Sequence, residues 1–156
     1  MKIAIRPLVL DDAKTSWKWR NDPLIWKYTE SKPNRTITIE METEWLRNVL
    51  EKRNETRFAI CINEEMNYIG NVQLTDITND DAQFHIFIGE RQFIGMGIGT
   101  CATQLIIEYA FNILNLKNIY LYVNSNNINA IKSYEKCAFK TVEIHEKKLK
   151  MIIKND

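Results

Sequence analysis

Of 156 residues, only five are glycine, three proline, three cysteine and two histidine. So few chain breakers leave no Gly-, Pro- or Ser-rich linker, and no internal repeat or low-complexity tract interrupts the chain. Residues 1–156 therefore read as one domain, long enough to bury about two-thirds of its unfolded surface. Cys61, Cys101 and Cys137 are odd in number and widely spaced, with no CxxC pair, and His85 stands far from His145. That excludes a Cys/His metal framework, and no metal is expected. Thiols without partners fit a reducing compartment, so a cytoplasmic location is expected. No apolar run approaches the length that spans a bilayer. Asp11 and Asp12 follow the opening too soon for a signal peptide. Neither sign of charge dominates: 21 Lys and Arg against 20 Asp and Glu leave a formal net charge of +1. This argues against a dedicated nucleic-acid binder.

What is present is periodic. Ile3 and Ile5 alternate with Lys2, Ala4 and Arg6, which predicts a first strand over 1–8. Asp11 or Asp12 is a fair N-cap for a helix running to Arg20, where Pro23 interrupts it. Met41, Trp45, Leu46, Val49 and Leu50 recur at helical spacing within 39–53. Strands are predicted over 57–63, 68–75 and 82–89; in the last, Phe84, Ile86 and Ile88 share one face and Gln83, His85 and Phe87 the other. The period then changes. A glycine loop over 95–100 precedes an amphipathic helix over 101–114, a strand over 118–123, a short helix over 127–137 and a closing hairpin of 139–143 with 148–154. The final strand alternates lysines with Leu149, Met151 and Ile153 and reads as a charge-protected edge.

Three of the five glycines fall at Gly95, Gly97 and Gly99, between a strand and a helix. A simple connection needs only one such residue. Absent side chains let a ligand approach the backbone, and free N–H groups at a helix start suit an anion, so a phosphate group is expected there. No lysine follows in the Walker pattern, and the spacing is GxGxG rather than GxGxxG, with no ribose-binding acid ending the next strand.

The run Ile94-Gly95-Met96-Gly97-Ile98-Gly99, the helix after it, and the later Asn127-Ile128-Asn129-Ala130-Ile131-Lys132-Ser133-Tyr134-Glu135-Lys136-Cys137-Ala138-Phe139 resemble the GNAT acetyltransferase superfamily. The opening IRPLxxxDA and the WRNDP of 19–23 are similar to its branch of ribosomal-protein N-terminal and nucleotide-amino-sugar acetyltransferases. Ile94 stands where the family carries Gln or Arg, Ala138 where a glycine usually precedes the phenylalanine, and Gln83 where relatives often carry a glutamate base. The resemblance implies an α/β (α+β) fold with a mixed, mostly antiparallel sheet of six or seven strands flanked by helices. It implies acetyl transfer from acetyl-coenzyme A to a primary amine by direct attack in a ternary complex. The coenzyme would meet Gly95, Met96, Gly97, Ile98, Gly99 and Thr100, its pantetheine arm the Asn127 side chain, and its thioester oxygen a backbone N–H at Phe87 or Ile88.

Tyr134 matches the family's general acid; the competing assignment is a core-capping tyrosine. For the base, His85 is the natural acceptor if its strand face meets the amine, since an imidazole near pKa ~6.5 takes a proton at neutral pH; Asp76 or a water chain are the alternatives. A missing glutamate suits an amine of low basicity. Acceptor contacts are expected from Trp19, Arg20, Asn21, Trp26, Tyr28 and Gln83, through aromatic stacking and an Arg clamp; the tryptophans serve equally as core anchors. The three cysteines are expected to be structural. An amino sugar, nucleotide-linked, is the favoured acceptor, ahead of a protein N-terminus and then polyamines or aminoglycosides. A non-catalytic acyl-coenzyme A sensor is the alternative from another class, and a homodimer is left open.

Overall fold

The computed structural model of the chain describes residues 1–27 and 35–156. Its seven strands are β1 (Ile3–Pro7), β2 (Thr56–Ile62), β3 (Asn67–Thr75), β4 (Asp81–Ile88), β5 (Asn118–Asn124), β6 (Lys140–His145) and β7 (Lys148–Lys154). They form one sheet in the order β1-β2-β3-β4-β5-β7-β6. Only β4 and β5 run parallel; the other pairings are antiparallel. The helices are α1 (Ala13–Ser16), α2 (Pro23–Trp26), α3 (Ile39–Leu50), α4 (Ile98–Asn112) and α5 (Ile128–Lys136). The expected mixed, mostly antiparallel sheet with flanking helices is what the chain forms.

Strand alternation divides the sheet into two faces. Val72 and Leu74 of β3, Ala82 and Phe84 of β4, Ile119 and Leu121 of β5 and Met151 of β7 are at most 2% exposed and share one core. Against them α4 lays Ile98, Ala102, Ile106 and Ala110, spaced one helical turn apart and all buried. Two alanines in that stripe let the helix axis come close to the sheet. The opposite face carries a smaller core in which Leu46 and Val49 of α3 and Ala13 of α1 meet Ala59 and Cys61 of β2. Thr38 caps α3 by accepting the Met41 N–H at 3.2 Å, and Glu40 and Glu42 lie in its first turn, where the helix dipole favours acids.

Three expectations are corrected. The early helix is not continuous: α1 is four residues long, flanked by 3-10 turns at Leu10–Asp12 and Trp19–Asn21. Asp12 does not cap α1 with its side chain. It is a buried partner of Arg6, 2.7 Å away, and accepts the Val9 N–H at 2.9 Å. The helix after the glycines starts at Ile98 rather than 101, so Ile98, Gly99 and Thr100 form its first turn. Finally, β7 is not an edge. It lies between β5 and β6, and β6, exposed along its whole length, is the edge. Met151 in the centre of β7 is fully buried, as an interior strand requires.

Candidate active site

The parallel pair at the middle of the sheet is short. β4 and β5 pair at Asp81–Asn118, Ala82–Ile119 and Gln83–Tyr120 and then separate. Beyond Gln83, residues 84–88 keep β3 on one side only. A strand that loses a neighbour leaves alternate N–H and C=O groups facing the gap. Gly89 gives its N–H to Ile69 O at 2.6 Å. The alternation therefore turns the polar groups of Phe87 and His85 toward β3 and those of Ile86 and Ile88 toward the gap. Of the two expected thioester donors, Phe87 and Ile88, the free N–H belongs to Ile88.

The glycine loop follows β4. Gly95 and Gly97 adopt φ of +82° and +80°, and a Cβ at either would meet no atom within 4 Å. These positions require glycine for their backbone conformation, and they face open space. Gly97 caps α4 with no side-chain bond. The N–H of Cys101 bonds Gly97 O at 3.2 Å, which leaves the earlier N–H groups of this fifteen-residue helix for an anion. The donor set, the helix dipole and the open space fit a pyrophosphate. Ile98 is 1% exposed, so it contributes through its N–H alone, while Ile94 and Met96 project as exposed apolar walls. The loop is braced from behind. Thr100 Oγ1 shares a 2.6 Å hydrogen bond with Ser133 Oγ of α5, and Thr103 Oγ1 donates to Gly99 O at 2.6 Å.

Tyr134 lies on the α4 face of the gap. Its ring meets Phe84 edge-on at 5.7 Å and Phe139 at 6.0 Å. Burial pushes its phenol up to about 12, so it stays protonated at neutral pH. Its hydroxyl has no hydrogen-bond partner among the described residues. Asn127 caps α5, accepting the Ala130 N–H at 3.4 Å; its amide NH2 is left over for a ligand.

His85 lies on the other face. Its Nε2 is 3.1 Å from Thr75 Oγ1. Burial first, and then the Arg57 guanidinium, hold its pKa below the ordinary histidine range, so the ring is neutral at physiological pH. Across the sheet it pairs with Gln73, whose Oε1 is a buried acceptor without a partner among the described residues. Gln83 lies two residues back along the same face, paired with Thr75 and Tyr120.

In the WRNDP segment Trp19, Arg20 and Asn21 are each engaged by other side chains or backbone of the protein. Trp19 is 2% exposed, packs on Tyr68 and Phe87 at ring distances of 4.7 and 5.9 Å, and donates Nε1–H to Glu90 at 2.7 Å. No face of it is left to stack on a substrate. Arg20 lies over the Trp45 ring at 5.0 Å and beside Glu42 at 3.4 Å. Asn21 exchanges two 2.8 Å hydrogen bonds with the backbone of Ile37. Trp19 thus packs against Phe87, Arg20 ties the Trp19–Asn21 turn to Glu42 and Trp45 of α3, and Asn21 ties it to Ile37 just before that helix. Trp26 is half-buried; Tyr28 lies outside the described residues. Cys61 and Cys137 are buried, with thiol pKa values raised by burial, as structural cysteines should be.

The family model of the acetyltransferase (GNAT) domain matches residues 2–140. The chain belongs to the GNAT acetyltransferase family. It is an acetyl-coenzyme A–dependent N-acetyltransferase. Among its relatives is a spermidine N(1)-acetyltransferase of Vibrio cholerae, 30% identical over 141 residues, covering 88% of this chain and 79% of that protein. A Vibrio cholerae spermidine N-acetyltransferase solved with CoA and spermine superposes with a TM-score of 0.85 at 25% identity, covering 97% of this chain and 95% of that one. The acetyltransferase PseH of Campylobacter jejuni is 28% identical over 129 residues, 82% of this chain and 76% of that protein. A Methanocaldococcus jannaschii protein is 28% identical over 143 residues, and the match spans only 28% of that longer chain.

Sequence reasoning missed the outer wall of the gap. Gln83 and Tyr120 are the last pair, so two residues further along the same face His85 and Tyr122 stand on opposite sides of the opening. Period 2 in the strand could have flagged Tyr120 and Tyr122 together, but only the pairing register places them opposite β4. The Thr100–Ser133 tie carried no sequence signal, since the two residues are 33 apart.

Proposed function

We propose that this GNAT enzyme acetylates the amine of an amino sugar, with His85 as general base and Tyr134 as general acid. The observation that carries the proposal is the placing of these groups. A neutral imidazole lies on one face of β4 where it parts from β5, a protonated phenol packs on Phe84 on the other face, and the Ile88 N–H faces the gap further along the strand. The coenzyme supplies the acetyl thioester. Ile88 N–H donates to the thioester oxygen as its negative charge grows. His85 takes the proton from the attacking amine, directly or through a water, and Tyr134 gives its proton to the departing sulfur. The Gly95–Gly97 loop, the first turn of α4 and Asn127 hold and orient the coenzyme.

A base whose pKa is held below ~6.5 is a poor match for an amine near ~10.4 and a better one for an amine already deprotonated in part at neutral pH. Amino-sugar amines are of that kind, and the exposed Tyr122 ring opposite His85 offers a face for a sugar ring. A polyamine acceptor is the second reading, favoured by the similarity to spermidine acetyltransferases. The free thiols fit a cytoplasmic enzyme. Among the described residues, no helix is long and apolar enough to cross a membrane.

A thiol-release assay with acetyl-coenzyme A decides between acceptors. Amino sugars are expected to release coenzyme at the highest kcat/KM, ahead of spermidine and of peptides with free α-amino groups. A clear preference for spermidine or for peptides overturns the amino-sugar reading. Tight coenzyme binding with no release for any amine would make the chain a sensor.

A further inference from the structure

The half-buried His85 ring is held by a single side chain. Among the described residues its hydrogen-bond partner is Thr75, whose Oγ1 lies 3.1 Å from Nε2. The contact follows from the register. Thr75 pairs with Gln83 and Gln73 with His85, so Thr75 is the diagonal neighbour of His85 on one face of β3 and β4, within reach of an imidazole. Thr75 is the last residue of β3. Its β-branched side chain has few rotamers open to it, which restricts where the hydroxyl can stand. No other hydrogen bond engages Oγ1 among the described residues.

A hydroxyl can give or take in such a contact, and the two cases leave the ring with different chemistry. A neutral imidazole has one N–H and one lone pair. If Thr75 donates, the lone pair on Nε2 is engaged and Nδ1 carries the hydrogen, so no nitrogen is free to receive a proton. If Nε2–H donates to Oγ1, Nδ1 keeps an unengaged lone pair. Only this second arrangement survives proton uptake, because both nitrogens of an imidazolium are donors and Nε2 then needs an acceptor. The surrounding charges set how readily the ring is protonated: Arg57 of β2 opposes it, and Glu55 and Asp76 favour it. Arg57 is bound to Glu55 at 2.8 Å. Tyr120 of β5, its phenol pushed up by burial, adds no charge at neutral pH. None of these groups hydrogen-bonds the ring, so none selects the nitrogen.

We propose that Thr75 is a positioning residue of the reaction, its hydroxyl accepting the Nε2–H of His85 and leaving Nδ1 as the nitrogen that receives the proton. As the amine nitrogen bonds to the acetyl carbon, its N–H bond breaks and Nδ1–H forms. The C–S electrons leave with sulfur, which takes the Tyr134 proton. Nε2–H stays on Thr75 Oγ1, and Thr75 keeps its own hydrogen throughout. The inference rests on the reading of His85 as base and deepens it.

The test uses the whole chain carrying His145→Gln, an exposed position outside the site, so that one imidazole remains. Heteronuclear NMR of that ring, above its titration, is expected to show hydrogen on Nε2 and none on Nδ1, whichever amine the enzyme accepts. Thr75→Val keeps the shape and removes the acceptor, and Thr75→Ser restores it. In thiol release, Thr75→Val is expected to lower kcat/KM about tenfold or more. It should also move the acid limb to lower pH, since a hydrogen bond to the charged ring is lost. Thr75→Ser should return both, with coenzyme affinity unchanged in each variant. Hydrogen on Nδ1 with Thr75 in place, or an acid limb indifferent to Thr75→Val, overturns the proposal. The two readings fail separately. Activity that survives His85→Gln removes the base and, with it, the role of Thr75. Activity lost in His85→Gln, with hydrogen on Nδ1 of the unsubstituted ring, keeps His85 as base and removes Thr75.

Discussion

The indole of Trp19 occupies the space that a side chain on Gly89 would need. A Cβ at position 89 would fall inside the van der Waals envelope of the ring, closer than real Cβ atoms approach other heavy atoms. The ring cannot step aside, because it is 2% exposed and tied to Glu90 through Nε1–H. Overpacking of this kind costs about 1–3 kcal/mol. Gly89→Ala is expected to lose that much stability in urea unfolding, and Trp19→Leu in the same chain to recover part of it. An unchanged midpoint in the single variant would show that the wall is soft.

Ala138 carries the opposite prediction. It follows the C-terminus of α5 with φ of +75°, a left-handed conformation that costs an alanine about 1–2 kcal/mol. Glycine removes that strain and returns about 0.4–1 kcal/mol through the extra freedom of the unfolded chain. Ala138→Gly should therefore stabilise the protein by about 0.5–1 kcal/mol, read as a rise in melting temperature. A fall would mean that the methyl is packed too well to lose.

Those two positions show what the sequence could and could not reveal. The glycine cluster, the strand alternation and the motif around Tyr134 were legible because each is local. The order of elements and the position of the glycine loop follow from them. The separation of β4 from β5 was not legible, since it depends on where pairing stops between residues about 40 apart. Trp19, Arg20 and Asn21 were expected at the substrate because aromatic and cationic residues also line pockets. Their burial and hydrogen bonds, with Ile37, Glu42 and Glu90, are tertiary facts. The lysines of β7 were read as edge protection because a C-terminal strand of alternating charge looks like an edge. The sheet instead puts β6 outside, and the lysines line a face.

Gly97 and Gly99 separate backbone strain from ligand contact. At Gly97, φ of +80° makes Gly97→Ala costly to the fold, by about 1–2 kcal/mol. At Gly99, which sits in the first turn of α4, an added Cβ would only touch Ile86 Cδ1 at 4.0 Å. Gly99→Ala is thus expected to keep full stability yet weaken acetyl-coenzyme A about tenfold or more, because the methyl would stand beside the N–H groups that meet the pyrophosphate. Isothermal titration measures this directly. Unaltered affinity in Gly99→Ala would move the pyrophosphate away from the first turn.

Tyr134→Phe is expected to lower kcat by about 10²-fold or more while leaving coenzyme affinity intact. Its phenol, pushed up to about 12 by burial, should show no ionisation in the rate profile through the neutral range. The same shift has a stability consequence. A tyrosine of the unfolded chain ionises near ~10, so the neutral, buried phenol contributes stability that is complete below ~10 and is lost as pH rises from there toward about 12. Tyr134→Phe should flatten that part of the alkaline unfolding curve. A kcat that survives the substitution, with chemistry rate-limiting, would take the acid role from Tyr134.

For His85 the informative variable is low pH. Burial and Arg57 lower its pKa, so the acid limb of kcat/KM should have its midpoint below the ~6.5 of an ordinary histidine. His85→Gln should abolish that limb and reduce kcat/KM by about 10²-fold. Arg57→Gln, which removes the repelling charge, should move the midpoint upward. Stability follows the same sign: a histidine whose folded pKa is depressed contributes stability above ~6.5 that is lost as pH falls through the folded value. The wild type should therefore lose stability between those two points faster than His85→Gln does. An acid limb that persists unchanged in His85→Gln would hand the proton to Asp76 or to a water, and the imidazole would be left as packing against Thr75.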